Sequence, residues 1–281
     1  MQTTEFYTKN LARYEKNLLG GVWPLPTPGV PDFFLDLGID PSMSSSGICG
    51  VLRTSEKVIA CQVLNHKTSP HEPTPLRLSS VVVVSLQLVK SLLANLKPPS
   101  KVHITILFEE PPTNMSSSAW LFALNQMLWL GFGPEDFKEE LALRHTITLH
   151  QLAIGNTQLK QLYFVWSEKK KLGLAYNEIK KSKSNIVRVI KSVVEPSILF
   201  PFLPKRYNND VAEAIAMACC AGACSAMCDA DVAPTEMLYD FIPTQELFTL
   251  MVSKKVNKHN ERMGWIYRPL THSFGWDSAW A

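Results

Sequence analysis

Three separated segments of this 281-residue chain place carboxylates where an apolar element gives way to a polar one. Asp40 closes the run Phe33-Phe34-Leu35-Asp36-Leu37-Gly38-Ile39 and is followed by the small-residue turn Pro41 to Gly47. Glu109 and Glu110 close a second run, Val102 to Phe108, just before Pro111-Pro112. Asp210 and Glu213 stand three apart in Asn209-Asp210-Val211-Ala212-Glu213-Ala214, so on a helix they project from one side. A carboxylate at the end of a buried strand is costly unless it binds something. Four such groups in one place would repel one another without cations. Oxygen ligands of this kind suit Mg²⁺ or Mn²⁺. Two such ions, roughly 3.5–4 Å apart, stabilise the attacking and leaving oxygens in phosphodiester hydrolysis.

Each segment also has a plainer reading. The second strand could simply end, with both acids solvated. Asp210 and Glu213 could cap their helix, as N-cap and N3 residues favoured by the helix dipole. Asp36 shares a strand face with Asp40 but lies about 13 Å away at ~3.3 Å per residue, and is read as structural.

The elements that must position these groups follow from periodicity. Strands are expected at 33–40, 47–53, 57–64, 102–108 and 145–154, with a further strand-like stretch at 160–166. Helices are expected at 78–96, 116–130 and 209–228, with a basic helical region over 168–194. A meander, a crossover helix and a buried strand imply a mixed α/β sheet with helices on both faces. Ahead of it, 3–19 reads as a short amphipathic helix, and Pro24, Pro26, Pro28 and Pro31 as a stiff linker. The expected organisation is 1–31 as helix and linker, 32–228 as the main domain, and 229–281 as a helical, Trp-rich extension that clamps onto the core.

The order and spacing of these motifs resemble RuvC-type Holliday-junction resolvases, nucleases of the ribonuclease H-like superfamily. Leu37-Gly38-Ile39-Asp40-Pro41 with Gly47 resembles their opening strand and turn. Pro75-Leu76-Arg77-Leu78 resembles the entry to their next helix, and Ile106 to Glu110, followed by Asn125-Gln126, their second acidic motif. Asp210-Val211-Ala212-Glu213-Ala214-Ile215-Ala216 resembles the last, which carries two acids three apart. The resemblance covers about residues 33–228. It implies a ribonuclease H-like mixed five-stranded sheet, with terminal extensions added. It also implies a metal-dependent endonuclease that resolves four-way DNA junctions by paired phosphodiester hydrolysis, leaving 5′-phosphate and 3′-hydroxyl ends. Asp40, Glu109, Asp210 and Glu213 would be the catalytic metal ligands for two Mg²⁺ or Mn²⁺ ions, with Glu110 the alternative to Glu109. Two symmetric cuts imply a two-fold homodimer. The chain departs from the family pattern in having Glu213 where Asp is common and Pro112 where an aromatic is common.

Lys169, Lys170, Lys171, Lys180, Lys181, Lys183, Arg188 and Lys191 form a local basic segment, with Glu178 its single acid after Lys169. The chain as a whole carries a net charge of only +3, so attraction to DNA phosphates must be local. A solvated helix face is the plainer reading. The resemblance implies a catalytic lysine near the scissile phosphate, here Lys183, with Lys181 second.

Cys220, Cys224 and Cys228 recur every four residues beside Cys219. Such a stripe spreads over about 12 Å, too far for one ion, so these read as packing residues. The polar, mixed-charge start implies no signal peptide, and the apolar runs near 81–84 and 120–130 read as too short or too polar to cross a bilayer. With cysteines read as free thiols, an intracellular, cytoplasmic protein of bacterial, viral or phage origin is expected.

Two other readings compete. A non-catalytic DNA-binding relative would keep the lysines and lose the acids, yet all four acidic positions are filled. An actin- or Hsp70-like ATPase shares the strand-Asp-turn opening but needs a second Gly-rich phosphate loop, and none is found among the 13 glycines.

Overall fold

A computed structural model describes residues 31–42, 44–110, 123–124, 127–128, 145–228, 255–256, 262–263 and 270–273. The expected N-terminal helix and linker, most of the helix at 116–130, and most of 229–281 lie outside these residues. Within them the order is β1 (Phe33–Asp40), β2 (Ser45–Arg53), β3 (Val58–Lys67), α1 (Thr74–Leu93), β4 (Ser100–Glu110), β5 (His145–Gly155) and α2 (Asn156–Lys169). Then come α3 (Tyr176–Lys181), α4 (Lys183–Val194), a 3₁₀ turn (Phe200–Phe202) and α5 (Asn209–Cys228). Residues 123–124 and 127–128 are helical. The short strands β6 (Lys255–Val256), β7 (Arg262–Met263) and β8 (Leu270–Ser273) follow.

The sheet runs β3-β2-β1-β4-β5, with β8 added at the edge. β1 pairs antiparallel with β2, and β2 with β3, while β1, β4 and β5 are parallel. This mixed five-stranded α/β core with helices on both faces is the sheet that the sequence implied. β8 pairs antiparallel with β5, so part of the C-terminal extension lies against the sheet as a sixth strand.

Alternation sorts β1 into two faces. Leu35, Leu37 and Ile39 join one core with Leu78, Val81, Leu88 and Leu92 of α1. Asp36, Gly38 and Asp40 turn to the other face, where α2, α4 and α5 pack. α1 starts one turn earlier than expected, with Pro75 tolerated in its first turn. By length and composition α1 is apolar enough to cross a membrane, contrary to the sequence reading of this region. Its buried stripe on the sheet accounts for that apolarity.

The stretch 160–166 is not a strand. It forms the body of α2, whose Leu159, Leu162, Tyr163 and Trp166 are buried at helical spacing. Its aromatic and β-branched residues, Tyr163, Phe164, Val165 and Trp166, favour strand by propensity, but tertiary packing overrides this.

Two glycines set how closely α5 approaches. A Cβ on Gly38 would lie 2.1 Å from the Ala214 carbonyl oxygen and 2.3 Å from the Ala218 nitrogen. The facing surface of α5 is built of Ala212, Ala214, Ala218 and their neighbours, all fully buried. Backbone therefore meets backbone without intervening side chains.

Asp36, one turn of the pleat below Gly38, is fully buried and takes a 2.6 Å ion pair from Arg53 Nε. The Arg53 guanidinium also covers the Phe34 ring at 4.4 Å. Removing one member of a buried pair strands the other charge. Arg53→Met should therefore lower unfolding free energy by about 3–5 kcal/mol in urea melts, and Arg53→Met with Asp36→Leu should recover most of it. A double variant no more stable than the single one would show that Asp36 is held by other means.

Candidate functional site

The C-terminal ends of the parallel strands β1 and β4 lie side by side. Ile39 pairs with Phe108, and the next step along each strand brings Asp40 beside Glu109. β5 is in register with β4, Glu109 opposite Ile154, and runs directly into α2. The first residue of α2, Asn156, thereby reaches Glu109 and donates a hydrogen bond from Nδ2 to its Oε1. The carboxyl-side edge of parallel strands is where open α/β sheets place their ligands.

α5 enters this edge from above. Asp40 pairs across the sheet with Gly47. A Cβ on Gly47 would stand 2.0 Å from the Asp210 carbonyl oxygen and 2.7 Å from the Val211 nitrogen. Only glycine lets the first turn of α5 lie this close to Asp40. The cap of α5 is Asn208, whose Oδ1 accepts from Val211 N–H at 3.0 Å. Asp210 and Glu213 are thus released from the capping role that the sequence left open, and both face the strand ends. The signal for this cap was a second Asn just upstream.

The electrostatics report the convergence. Burial, then the charges of Glu213, Glu109 and Asp210, push the Asp40 carboxyl well above the usual carboxylate range. Glu109 is also raised, chiefly by burial, although hydrogen bonds from Asn156 and with Asp40 pull it back. Burial and like charge thus both oppose ionisation at this edge, a situation that an entering cation would relieve. The donor chemistry, carboxylate oxygens from two strands and a helix, suits a hard divalent ion. Among the described residues, though, no three acidic, His or Cys side chains are already set to hold one ion.

Glu213 already has a cationic partner. Lys160, on the second turn of α2, is buried and its Nζ lies 2.5 Å from Glu213 Oε1. Asn209 Nδ2 donates to the other Glu213 oxygen at 2.9 Å. Lys160 was missed in the sequence because it falls in the stretch read as a strand. Helical spacing puts Asn156, Lys160 and Tyr163 on one face of α2. The Tyr163 hydroxyl is buried, has no hydrogen-bond partner among the described residues, and is raised first by burial and then by Glu213.

The basic segment divides. Lys169, Lys170, Lys171, Lys180, Lys181, Lys183 and Arg188 are exposed. Lys191 instead lies half-buried over the Tyr207 ring at 5.1 Å. Lys183 is the member that reaches the acids, with Nζ 3.7 Å from Asp210 Oδ1. Glu178 accepts from Ala175 N–H at 2.7 Å and Ser182 from Asn185 N–H at 3.3 Å, so each short helix is closed by its own sequence. The side chain of Glu110 lies outside the described residues, and Glu109 is the member of that pair at the site. Cys219 and Cys220 are fully buried and burial pushes both thiols up, as suits packing residues; the side chains of Cys224 and Cys228 lie outside the described residues.

No family model and no curated protein matches the chain. Among solved structures it is similar to Thermus thermophilus RuvC in complex with a Holliday junction substrate, at 15% identity. That match covers 69% of this chain and 96% of the other, with a TM-score of 0.39. A second Thermus thermophilus RuvC structure is 16% identical over 69% of this chain and 95% of the other, with a TM-score of 0.38.

The raised Asp40 carboxyl has a definite sign. A group raised in the fold contributes stability below its unfolded value, and that contribution is lost as pH rises through the folded value. In chelator, the metal-free protein should therefore melt lower at pH 8 than at pH 5 relative to Asp40→Asn. Asp40→Asn should melt above wild type at pH 8, by about 2–4 °C per kcal/mol relieved. Differential scanning calorimetry checks this, and an Asp40→Asn protein that melts below wild type at pH 8 would contradict it. Gly47→Ala should weaken Mn²⁺ binding while the circular dichroism spectrum stays native, because the added methyl displaces the first turn of α5 rather than unfolding the sheet.

Proposed function

We propose that this chain is a divalent-metal-dependent endonuclease acting on branched DNA, with the four-way junction as its substrate. The observation that carries this reading is that Asp40, Glu109, Asp210 and Glu213 come close enough at one sheet edge for burial and then their like charges to raise the Asp40 carboxyl. Such an edge has a use when cations enter it and little structural purpose otherwise, since the fold's own buried acid, Asp36, is neutralised by Arg53.

Asp40, Glu109, Asp210 and Glu213 would hold a divalent ion, which when bound would supply Lewis-acid activation of water and offset charge at phosphorus. The chain's own groups do the rest. Asp40 and Glu109 project from adjacent parallel strands and are held rigid by the sheet. Asn156 fixes the Glu109 carboxylate. Lys183, beside Asp210 and exposed, is placed to meet a phosphate entering the edge and to offset its growing negative charge. Lys180 and Lys181 lie at the end of α3, just ahead of Lys183, and extend that positive surface along the DNA backbone.

The junction as substrate, and a two-fold dimer of this chain to make two symmetric cuts, follow from the motif resemblance in the sequence. The filled acidic positions favour catalysis over a DNA-binding role without it.

The deciding experiment is a nuclease assay on labelled four-way junction, fork and duplex DNA with Mg²⁺ or Mn²⁺. Cleavage of the junction is expected, lost in Asp40→Asn while junction binding persists. Wild-type cleavage rates in Asp40→Asn would overturn the assignment. Lys181→Ala with Lys183→Ala should flatten the slope of log affinity against log salt by about 1–2, as two phosphate contacts are removed. An unchanged slope would make this a solvated face.

A further inference from the structure

The return of the chain from α4 to α5 leaves two phenylalanines in solvent, Phe200 at 47% exposure and Phe202 at 40%. The segment around them is held firmly. Leu199 is fully buried, and Leu203 and Tyr207 pack on the same core. Phe200 N–H donates to the Ser197 carbonyl at 3.2 Å. Phe202 N–H donates to Leu199 at 3.0 Å, and Leu203 N–H to Phe200 at 3.1 Å. Pro201 and Pro204 restrict the backbone further. The inward positions are thus filled by Leu199, Leu203 and Tyr207, and the two rings stand outward on a fixed frame. Exposed apolar surface rimmed by polar residues marks an interaction site.

Charge identifies what the rings would meet. Lys205 and Arg206 follow them directly and are exposed. Lys191, over the Tyr207 ring at 5.1 Å, joins this segment to the α4 face that carries Arg188 and Lys183. From Lys180 to Asn209 the one acid is Glu195. The core of a protein–protein interface is depleted in lysine. Rings bordered by cations suit a polyanion that also offers flat faces. Bases within a duplex are already stacked on one another, so unpaired nucleotides supply those faces. The segment also leads straight to the acids. Asp210 lies eight residues beyond Phe202. That span is at most about 29 Å of chain. At the ~3.4 Å per nucleotide of a stacked strand, one strand can reach both within about nine nucleotides.

We propose, resting on the branched-DNA reading above, that the segment 198–206 is a binding surface for unpaired nucleotides. Phe200 and Phe202 stack on bases, and Lys205 and Arg206 hold the adjoining phosphates. The rigid frame favours this, because little side-chain or loop freedom is lost on binding. Branched DNA is then held by an opened strand as well as at the acidic edge.

The test uses the full chain in chelator, so that no cleavage intervenes, and a labelled oligothymidine of about twelve nucleotides. By fluorescence anisotropy, wild type should bind it more tightly than a duplex of equal length. Phe200→Ala with Phe202→Ala should weaken that binding about tenfold or more and leave its salt slope unchanged. Phe200→Tyr with Phe202→Tyr should retain it, since the rings are kept. Lys205→Ala with Arg206→Ala should instead flatten the slope by about 1–1.5, at ~0.7 for each single-strand phosphate contact. Circular dichroism melts check that each variant is folded; should the alanine pair not fold, the Lys205 and Arg206 variant decides. Unchanged oligothymidine affinity in the folded alanine pair, an unchanged slope without Lys205 and Arg206, or a wild type that prefers duplex would each overturn this inference while junction cleavage stands. An alanine pair that falls from dimer to monomer in sedimentation as it loses affinity would also overturn it, making the patch a contact between copies. A wild type that binds no DNA of any form would overturn the nuclease reading as well.

Discussion

Everything at the sheet edge depends on how closely one helix can lie on one sheet. α5 contacts the sheet through its own backbone, with carbonyl and amide groups standing where a Cβ of Gly38 or Gly47 would be. That contact sets the depth at which Asp210 and Glu213 arrive beside Asp40. A helix held off by ordinary side chains would sit several ångströms higher, since helix axes and sheets are normally separated by the side chains between them. The alanines of α5 and the glycines of β1 and β2 are thus two halves of one device. They contribute little apolar area per residue, and their effect is positional. Bulkier residues elsewhere, Trp166, Tyr163 and the branched residues of α4, supply the burial that holds α5 down.

The consequence of that closeness is charge crowding, and different parts of the chain answer it in different ways. A hydrogen bond between Asp40 and Glu109 relieves one pair. Asn156 and Asn209 donate to one oxygen each without adding charge. Lys160 and Lys183 add charge, one from within and one from solvent. The two lysines are not equivalent, because an exposed cation is screened by water and mobile while a buried one is neither. Lys183 can leave Asp210 at small cost. Lys160 cannot leave Glu213 without stranding two buried charges.

Much of this was legible in the sequence, and the parts that were not have physical reasons. Strands β1, β4 and β5 announce themselves as apolar runs ending at polar residues, and the small-residue pattern of 209–228 correctly predicts a helix that nestles on a sheet. The meeting of 40 and 109 needs only the register of parallel strands once the fold is known, whereas 210 arrives with the close approach of α5. The helix over 160–166 was not legible, because a short apolar run of aromatic and β-branched residues has no period of its own to separate strand from helix. Misreading that stretch hid Lys160, since a lysine in a strand of unknown register has no predictable partner. The capping role of Asn208 was hidden differently: two adjacent Asn residues and an Asp all suit an N-cap, and only the hydrogen bond to Val211 separates them. Lys191 looks like its exposed neighbours in composition, but the return of the chain through Tyr207 covers it.

The contrast between Asp36 and Asp40 shows how position converts one residue type into two functions. They lie four residues apart on the same strand and the same face, and both are buried. Asp36 is in the interior of the sheet, where solvent and ligands cannot come, and β2 supplies Arg53 to neutralise it. Asp40 is at the open edge, opposite a glycine, and the groups brought near it are mostly more carboxylates. An interior charge left in that company would be selected against on stability alone, because its ionised form is opposed by both burial and like charge. At the edge the same arrangement is tolerable, because a cation from solution can enter and relieve it. The position of Asp40, rather than its identity or its local sequence, is what makes it a candidate for chemistry, and the same reasoning makes Arg53 and Lys160 counterparts. Each is a buried cation facing a buried acid across the packed side of the sheet, one serving the interior and the other reaching the edge where substrate would arrive.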